Sequence, residues 1–190
     1  MSTSIKKLTL VGCCAVALSL GFGPDAQAGG PFGFGKNAST ADIAKIDIDV
    51  MPDGRGAPPG QGTYAEGKKV YAAQCASCHG ADMAKPVKGT GAAPLRGGRG
   101  TLTSGKPKKT VESYWPYAST LFDFTKRAMP FYEPGSMKDN DIYAVVAYIL
   151  AEGGIISKDT VMNAKALAKV KMPNRNGFIS DPRPDIFLHE

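Results

Sequence analysis

A chain of 190 residues, 43% hydrophobic and 21% charged, has room for one modest domain plus extensions. Its formal charge of +6 is a moderate excess that suits an acidic docking partner or plain solubility, and nucleic acid is not an expected partner. The one long apolar run lies at the N-terminus, which excludes a membrane span from the mature chain.

That run has the layout of an export signal. Lys6 and Lys7 form a positive start, Leu8 to Leu20 an apolar stretch, and Ala26-Gln27-Ala28 an A-x-A site, so cleavage is expected after Ala28. Leu10-Val11-Gly12-Cys13 resembles a lipoprotein box, but only five residues separate Lys7 from Cys13 and the apolar run continues past it. Ordinary export is preferred, with residues 1–28 as the signal peptide. Losing Lys6, Lys7 and Asp25 takes the formal charge from +6 to +5.

Residues 29–62 read as a linker and extended arm. Gly29 to Gly35 is glycine-rich and flexible. Ile46-Asp47-Ile48-Asp49-Val50 alternates apolar and polar residues, which predicts a short extended segment. Met51 to Gly62, with three prolines and four glycines, is turn-rich.

Thr63 and Glu66 have the spacing of a capping box, so a helix starts at Thr63 and runs to about Gln74. Gly67 lies one turn before Tyr71 and permits close approach of another helix.

Cys75-Ala76-Ser77-Cys78-His79 follows at once. C-x-x-C-H is the attachment signature of c-type haem. Two thiols three residues apart add to the two vinyl groups, and the next residue supplies an axial imidazole to the iron. A thioredoxin-like dithiol has no need of the following His. A zinc site needs about four ligands, and the mature chain has one further His, His189, and no further Cys. A disulfide this tight is strained. One covalent haem c is expected on Cys75 and Cys78, with His79 as an iron ligand.

Ala81 to Pro107 is rich in Gly and Pro, and is read as a loop wrapping the haem edge. Lys85, Lys88, Arg96, Arg99, Lys106, Lys108 and Lys109 gather there with no acid after Asp82. They dock an acidic partner or form a solvated loop, and the sequence leaves both open. Pro116 to Ala128 reads as a helix with Tyr117, Leu121, Phe122 and Phe124 on a wide aromatic face, preceded by Trp115, the one Trp in the chain. Ser136 to Asp139 reads as a second capping motif. The next helix runs from about Lys138 to Ala151, with Ile142, Val145, Val146, Ile149 and Leu150 at helical spacing, and Gly153-Gly154 ends it. Tyr148 is expected to pack on the Gly67/Tyr71 face. Residues 154–190 are a tail with a short helix within Val161 to Val170. It has no core of its own, so it lies on the domain, lies on a partner or is mobile.

The second iron ligand comes from Met51, Met83, Met129, Met137, Met162, Met172 or His189. Met83 is too near His79 to reach the opposite face of the ring. Met51 precedes the first helix, and Met162, Met172 and His189 lie in the tail. Met129 is fifty residues after His79, in a loop that Pro130 stiffens, and is preferred, with Met137 as the alternative. A thioether ligand raises the potential relative to bis-His ligation.

These features resemble a class I cytochrome c: the Gly67/Tyr71 helix, Cys75 to His79, Pro94-Leu95, Met129-Pro130 and the helix with Tyr148. The resemblance implies an all-α fold over residues 63–153 around one covalent haem, with Pro94 as the residue whose carbonyl accepts a hydrogen bond from His79. It also implies a periplasmic location, where haem is attached. Three longer stretches, Asp47 to Gly54, Tyr114 to Asp123 and Met172 to Phe178, are similar to cytochrome subunits of bacterial molybdenum-containing sulfite or sulfane dehydrogenases. This implies such an enzyme as electron donor, a further cytochrome or oxidase as acceptor, and no catalytic residues. Trp115 and Tyr117 become candidate haem contacts, and the arm and tail become candidate segments for clasping the dehydrogenase. Some members of that group carry a second haem domain, for which this chain has no second C-x-x-C-H. A general periplasmic electron shuttle shares all the haem residues. A haem enzyme needs an open iron site and a nearby acid/base group.

Overall fold

Ser39 and Asp42 cap each other. The Asp42 amide donates to Ser39 Oγ at 3.1 Å, and the Ser39 amide and hydroxyl donate back to the Asp42 carboxylate. They open helix α1, Thr40–Ile46, where the sequence suggested only linker. The structure, a computed structural model, describes residues 34–181. It divides at Lys45/Ile46 into two units, the second of which carries everything below. The expected signal peptide, its cleavage site, Cys13 and His189 lie outside the described residues.

The alternating stretch after Ile46 pairs into no sheet. Residues 47–50 take no regular structure. The Val50 amide instead donates to Asp123 Oδ1 at 3.0 Å, and Arg127 bridges Asp49 and Asp123 at 2.9 and 2.6 Å.

Helix α2, Tyr64–Gln74, starts at the expected capping box. The Glu66 amide donates to Thr63 Oγ1 at 3.3 Å, and the Thr63 amide donates to the Glu66 carboxylate at 2.8 Å. A single turn, α3 (Ala76–His79), carries the cysteines. Among the described residues, no helix or strand then forms until α4, Ala118–Ala128. It begins two residues later than the sequence suggested because Tyr117 is extended and serves as N-cap, leaving Pro116 outside.

Helix α5, Asp139–Glu152, is the central element, with Ile142 to Ala151 buried throughout. Ser136 does not cap it. Lys138 is the N-cap without a side-chain bond, and Asp139 and Asp141 occupy the first turn, where the helix dipole favours acids. Gly154, at φ +62°, ends the helix in a Schellman arrangement. The Gly154 amide donates to Ala151 O and the Ile155 amide to Leu150 O, both at 2.9 Å.

Gly67 fixes how α2 crosses α5. A Cβ at this position would overlap the Ala144 carbonyl and lie 2.8 Å from Tyr148 Cβ. The rings of Tyr64 and Tyr71 pack tilted on Tyr148, with centroids 5.1 and 5.4 Å apart. On the other side Phe122 of α4 meets Tyr143 at 4.5 Å.

Of the three alternatives open for the tail, the described part lies on the domain. Strand β1 (Gln61–Gly62) pairs antiparallel with β2 (Met162–Asn163). Asn163 caps α6, Ala164–Lys169, accepting from the Ala166 amide at 2.9 Å. Met162, Leu167, Val170 and Met172 are buried in the same core as α5. The three stretches singled out in the sequence also meet one another. Val50 bonds to Asp123, Asn174 Nδ2 donates to Tyr114 O at 2.7 Å, and Arg175 lies over the Tyr117 ring at 4.5 Å.

Candidate haem-iron centre

Cys75, Cys78 and His79 share one turn because α2 runs directly into α3. The Cys75 amide closes α2 on Tyr71 O at 2.9 Å, and the Cys78 and His79 amides both return to Cys75 O, at 3.1 and 2.9 Å. Gly80, at φ +77°, turns the chain away. The buried hydroxyl of Tyr71 donates to Gly80 O at 2.7 Å, tying α2 to the end of the motif. Burial holds this phenol well above its usual range.

Both cysteines are free and half-buried. Burial, with Cys78 next to it, pushes the Cys75 thiol up to about 11. No group of three or more His, Cys, Asp or Glu side chains gathers as a metal cage among the described residues.

His79 Nδ1 lies 2.9 Å from a backbone carbonyl oxygen. A carbonyl only accepts, so Nδ1 carries the proton and Nε2 presents its lone pair to a metal. The acceptor is Ala93, not Pro94 as the resemblance implied. The carbonyl in question acylates the Pro94 nitrogen, so Pro94 shapes it from one residue on by holding Ala93 out of the helical region.

Two anchors position that carbonyl. Upstream, the Thr90 hydroxyl donates to Val87 O at 2.8 Å and accepts from the Ala92 amide at 3.3 Å, while the Val87 amide donates to Cys78 O at 2.9 Å. Downstream, the Leu95 and Arg96 amides both donate to Met83 O, at 2.8 and 3.2 Å. Met83 is 1% exposed and holds φ +59°, a left-handed conformation uncommon outside glycine. Sequence reasoning missed both Ala93 and Met83. A methionine in that conformation leaves no signature in composition or spacing.

The other expected residues fall around α4. Met129 is its C-cap, half-buried, at a cis Met129-Pro130 bond. Met137 is half-buried and packs against the core. Trp115 is half-buried against the edge of Phe124, centroids 5.8 Å apart, and Tyr117 lies under Arg175. Met51 is exposed, and Met162 and Met172 are buried in the tail.

The basic loop is less free than its sequence suggests. Arg99 pairs with Glu112 at 2.7 Å, Arg96 lies 3.5 Å from Glu152, and Lys109 covers the Tyr114 ring at 5.1 Å. Lys85, Lys88 and Lys106 remain exposed.

The donor set fits a c-type haem: two unbridged thiols on one turn and an adjacent imidazole whose protonated nitrogen is already bonded. Known proteins point the same way. The family model described as cytochrome c matches residues 64–152. The structure is similar to the sulfane dehydrogenase SoxCD from Paracoccus pantotrophus, with 38% identity and a TM-score of 0.72, over 82% of this chain and 75% of that one. A stretch of 93 residues is 33% identical to a thiosulfate dehydrogenase of Stutzerimonas stutzeri (strain A1501), covering 48% of this chain and 28% of that protein's length.

Proposed function

Since this chain belongs to the cytochrome c family, with the covalently bound haem c which that implies, we propose that it is a periplasmic, single-haem electron-transfer subunit. It accepts electrons from a molybdenum-containing sulfite or sulfane dehydrogenase and passes them to a further cytochrome or oxidase. The observation that carries this reading is the likeness to SoxCD. It spans 82% of the chain, well beyond the 64–152 core, so it takes in parts of the arm and tail that a bare carrier does not need. Among the described residues no helix is long and apolar enough to cross a membrane.

When bound, the haem supplies one-electron ferric/ferrous chemistry. The chain's residues do the rest. Cys75 and Cys78 would hold the group by thioether bonds, with His79 Nε2 and the Met129 sulfur as the ligands offered to its iron. The Nδ1–H···O=C bond to Ala93 fixes the tautomer and orientation of His79 and raises its basicity as a ligand. The Tyr71–Gly80 bond and the Met83 anchor keep the surrounding turn rigid, so little reorganisation accompanies a change of charge.

Co-expression with the molybdenum subunit of the source organism tests the assignment. A complex that survives gel filtration and contains haem and molybdenum is expected. Separate elution at micromolar concentration contradicts a permanent subunit.

The match to a thiosulfate dehydrogenase favours a second reading, in which this protein itself oxidises thiosulfate. Adding thiosulfate to the purified ferric protein separates the two: reduction without any partner supports the enzyme, and no reduction supports the carrier.

A further inference from the structure

Part of the tail builds a surface away from the C-x-x-C-H turn. Residues 168–177 curl around an open concavity of ≈ 990 Å³. Lys169, Lys171 and Arg175 stand exposed around it. No carboxylate lines it, and residues 160–180 contain no Asp or Glu at all. Neither lysine forms an ion pair among the described residues, unlike Arg96 and Arg99 in the basic loop. A smaller concavity of ≈ 240 Å³ adjoins it through Pro173 and Asn174.

The shape is fixed from below. Met172 is buried, Asn174 Nδ2 donates to Tyr114 O at 2.7 Å, and Phe178 stands edge-on to Tyr114 with centroids 5.2 Å apart. A preformed surface costs little ordering on binding. Its size and openness suit an extended, carboxylate-bearing chain better than a single oxyanion.

Its position is informative. None of the lining residues lies in the stretch from Cys75 to Leu95, and Met129 is not among them. Arg175 sits on Tyr117, the N-cap of α4, whereas Met129 is the C-cap. Eleven helical residues at ~1.5 Å each separate the two ends by about 16 Å.

We propose that the concavity bounded by Lys169, Lys171 and Arg175 is the docking site for an acidic segment of a protein partner. It holds that partner at the Tyr117 end of α4, away from the Met129 end. A partner anchored there stays bound while the Met129 end remains open to exchange electrons. The partner's identity as the dehydrogenase subunit rests on the reading above; the site and its preference for carboxylates do not.

Octaglutamate is the first probe, titrated into the full-length ¹⁵N-labelled holoprotein at low salt, with a Gly-Ser octapeptide as control. Shifts concentrated in residues 168–177 are expected with octaglutamate alone. At least tenfold weaker binding is expected in the double variant Lys169→Gln/Lys171→Gln, and less than twofold change in Lys85→Gln/Lys88→Gln. Shifts centred on residues 85–109, or unchanged binding by the Lys169/Lys171 variant, overturn the proposal. The same variants are then tested against the molybdenum subunit, with the visible spectrum confirming an intact haem. At least tenfold weaker association of the Lys169/Lys171 variant supports the site as the subunit anchor. If octaglutamate binds at 168–177 but the wild-type protein forms no complex with the molybdenum subunit, the docking site stands and the functional reading fails.

Discussion

His79 Nδ1 lies 2.9 Å from the carbonyl oxygen of Ala93, fourteen residues along the chain. This bond puts the proton on Nδ1 and leaves the Nε2 lone pair free for a metal, and it depends on a loop with no regular structure. The Thr90 hydroxyl secures the upstream side of that loop. Thr90→Val keeps the shape and removes these bonds together with the hydroxyl's longer contact to Cys78 O at 3.3 Å, so the Nδ1–H···O contact weakens and the imidazole becomes less basic. The ferric state then loses stabilisation, and the midpoint potential rises. A net hydrogen bond of about 0.5–1.5 kcal/mol converts to a rise of about 20–60 mV for one electron. Redox titration of both proteins, with Thr90→Ser restoring the wild-type value, checks this.

Met129 is half-buried at a helix end, whereas Met137 is packed on the core. Met129→Ala is therefore expected to lower the potential and let cyanide bind the ferric protein and carbon monoxide the ferrous protein. Met137→Ala is expected to leave ligation intact and reduce stability instead. Ligand titrations followed in the visible spectrum decide between them, and cyanide binding by the Met137 variant alone transfers the ligand role to Met137.

Gly67 has no room for a side chain, because a Cβ there would overlap the Ala144 carbonyl. Backbone does not yield as a flexible side chain does. Gly67→Ala must separate α2 from α5, and overpacking of this kind costs about 1–3 kcal/mol or more. The gain from alanine's better helix propensity, about 1 kcal/mol, is the smaller effect. A lower urea midpoint for the variant is the expected result.

Glu152 binds the loop to the end of α5. Its carboxylate accepts from the Tyr64 hydroxyl at 2.7 Å, pairs with Lys158 at 3.3 Å and lies 3.5 Å from Arg96. The Tyr64 hydrogen bond, followed by Lys158 and Arg96, holds its pKa below the usual 4.5. A lowered folded-state pKa contributes stability that is fully present above the unfolded value and is lost as pH falls through the folded one. Wild type should therefore lose this contribution below about pH 4.5, and Glu152→Gln should show a smaller loss over that range. Urea midpoints at pH 6 and pH 3.5 measure the difference; equal slopes would remove Glu152 from the account.

Where the physics is local, the sequence carries it. The haem turn follows from three residues in one motif, the α2 start from Thr63 and Glu66, and the α2/α5 crossing from Gly67, Tyr71 and Tyr148. The tail carries no such local signal. Met162, Leu167, Val170 and Met172 enter the core from a two-residue strand, a six-residue helix and a loop, so no single period runs through them. The Val50–Asp123 bond joins residues 73 apart, and a backbone amide leaves no trace in sequence. The shift from Pro94 to Ala93 has the same origin, since the direction of a carbonyl is set by dihedrals. The basic loop looked free of acids because Glu112 and Glu152, which partner Arg99 and Arg96, come later in the chain.

The most direct test of electron transfer from a sulfur dehydrogenase is to mix the ferric protein with its purified molybdenum dehydrogenase partner. The ferrous haem band is then followed after adding sulfite, thiosulfate or buffer. Reduction that requires both the partner and a sulfur substrate is predicted, at a rate faster than mixing with thiosulfate alone. Equal reduction with buffer, or none with any addition, contradicts the assignment and leaves a class I cytochrome c fed by another donor.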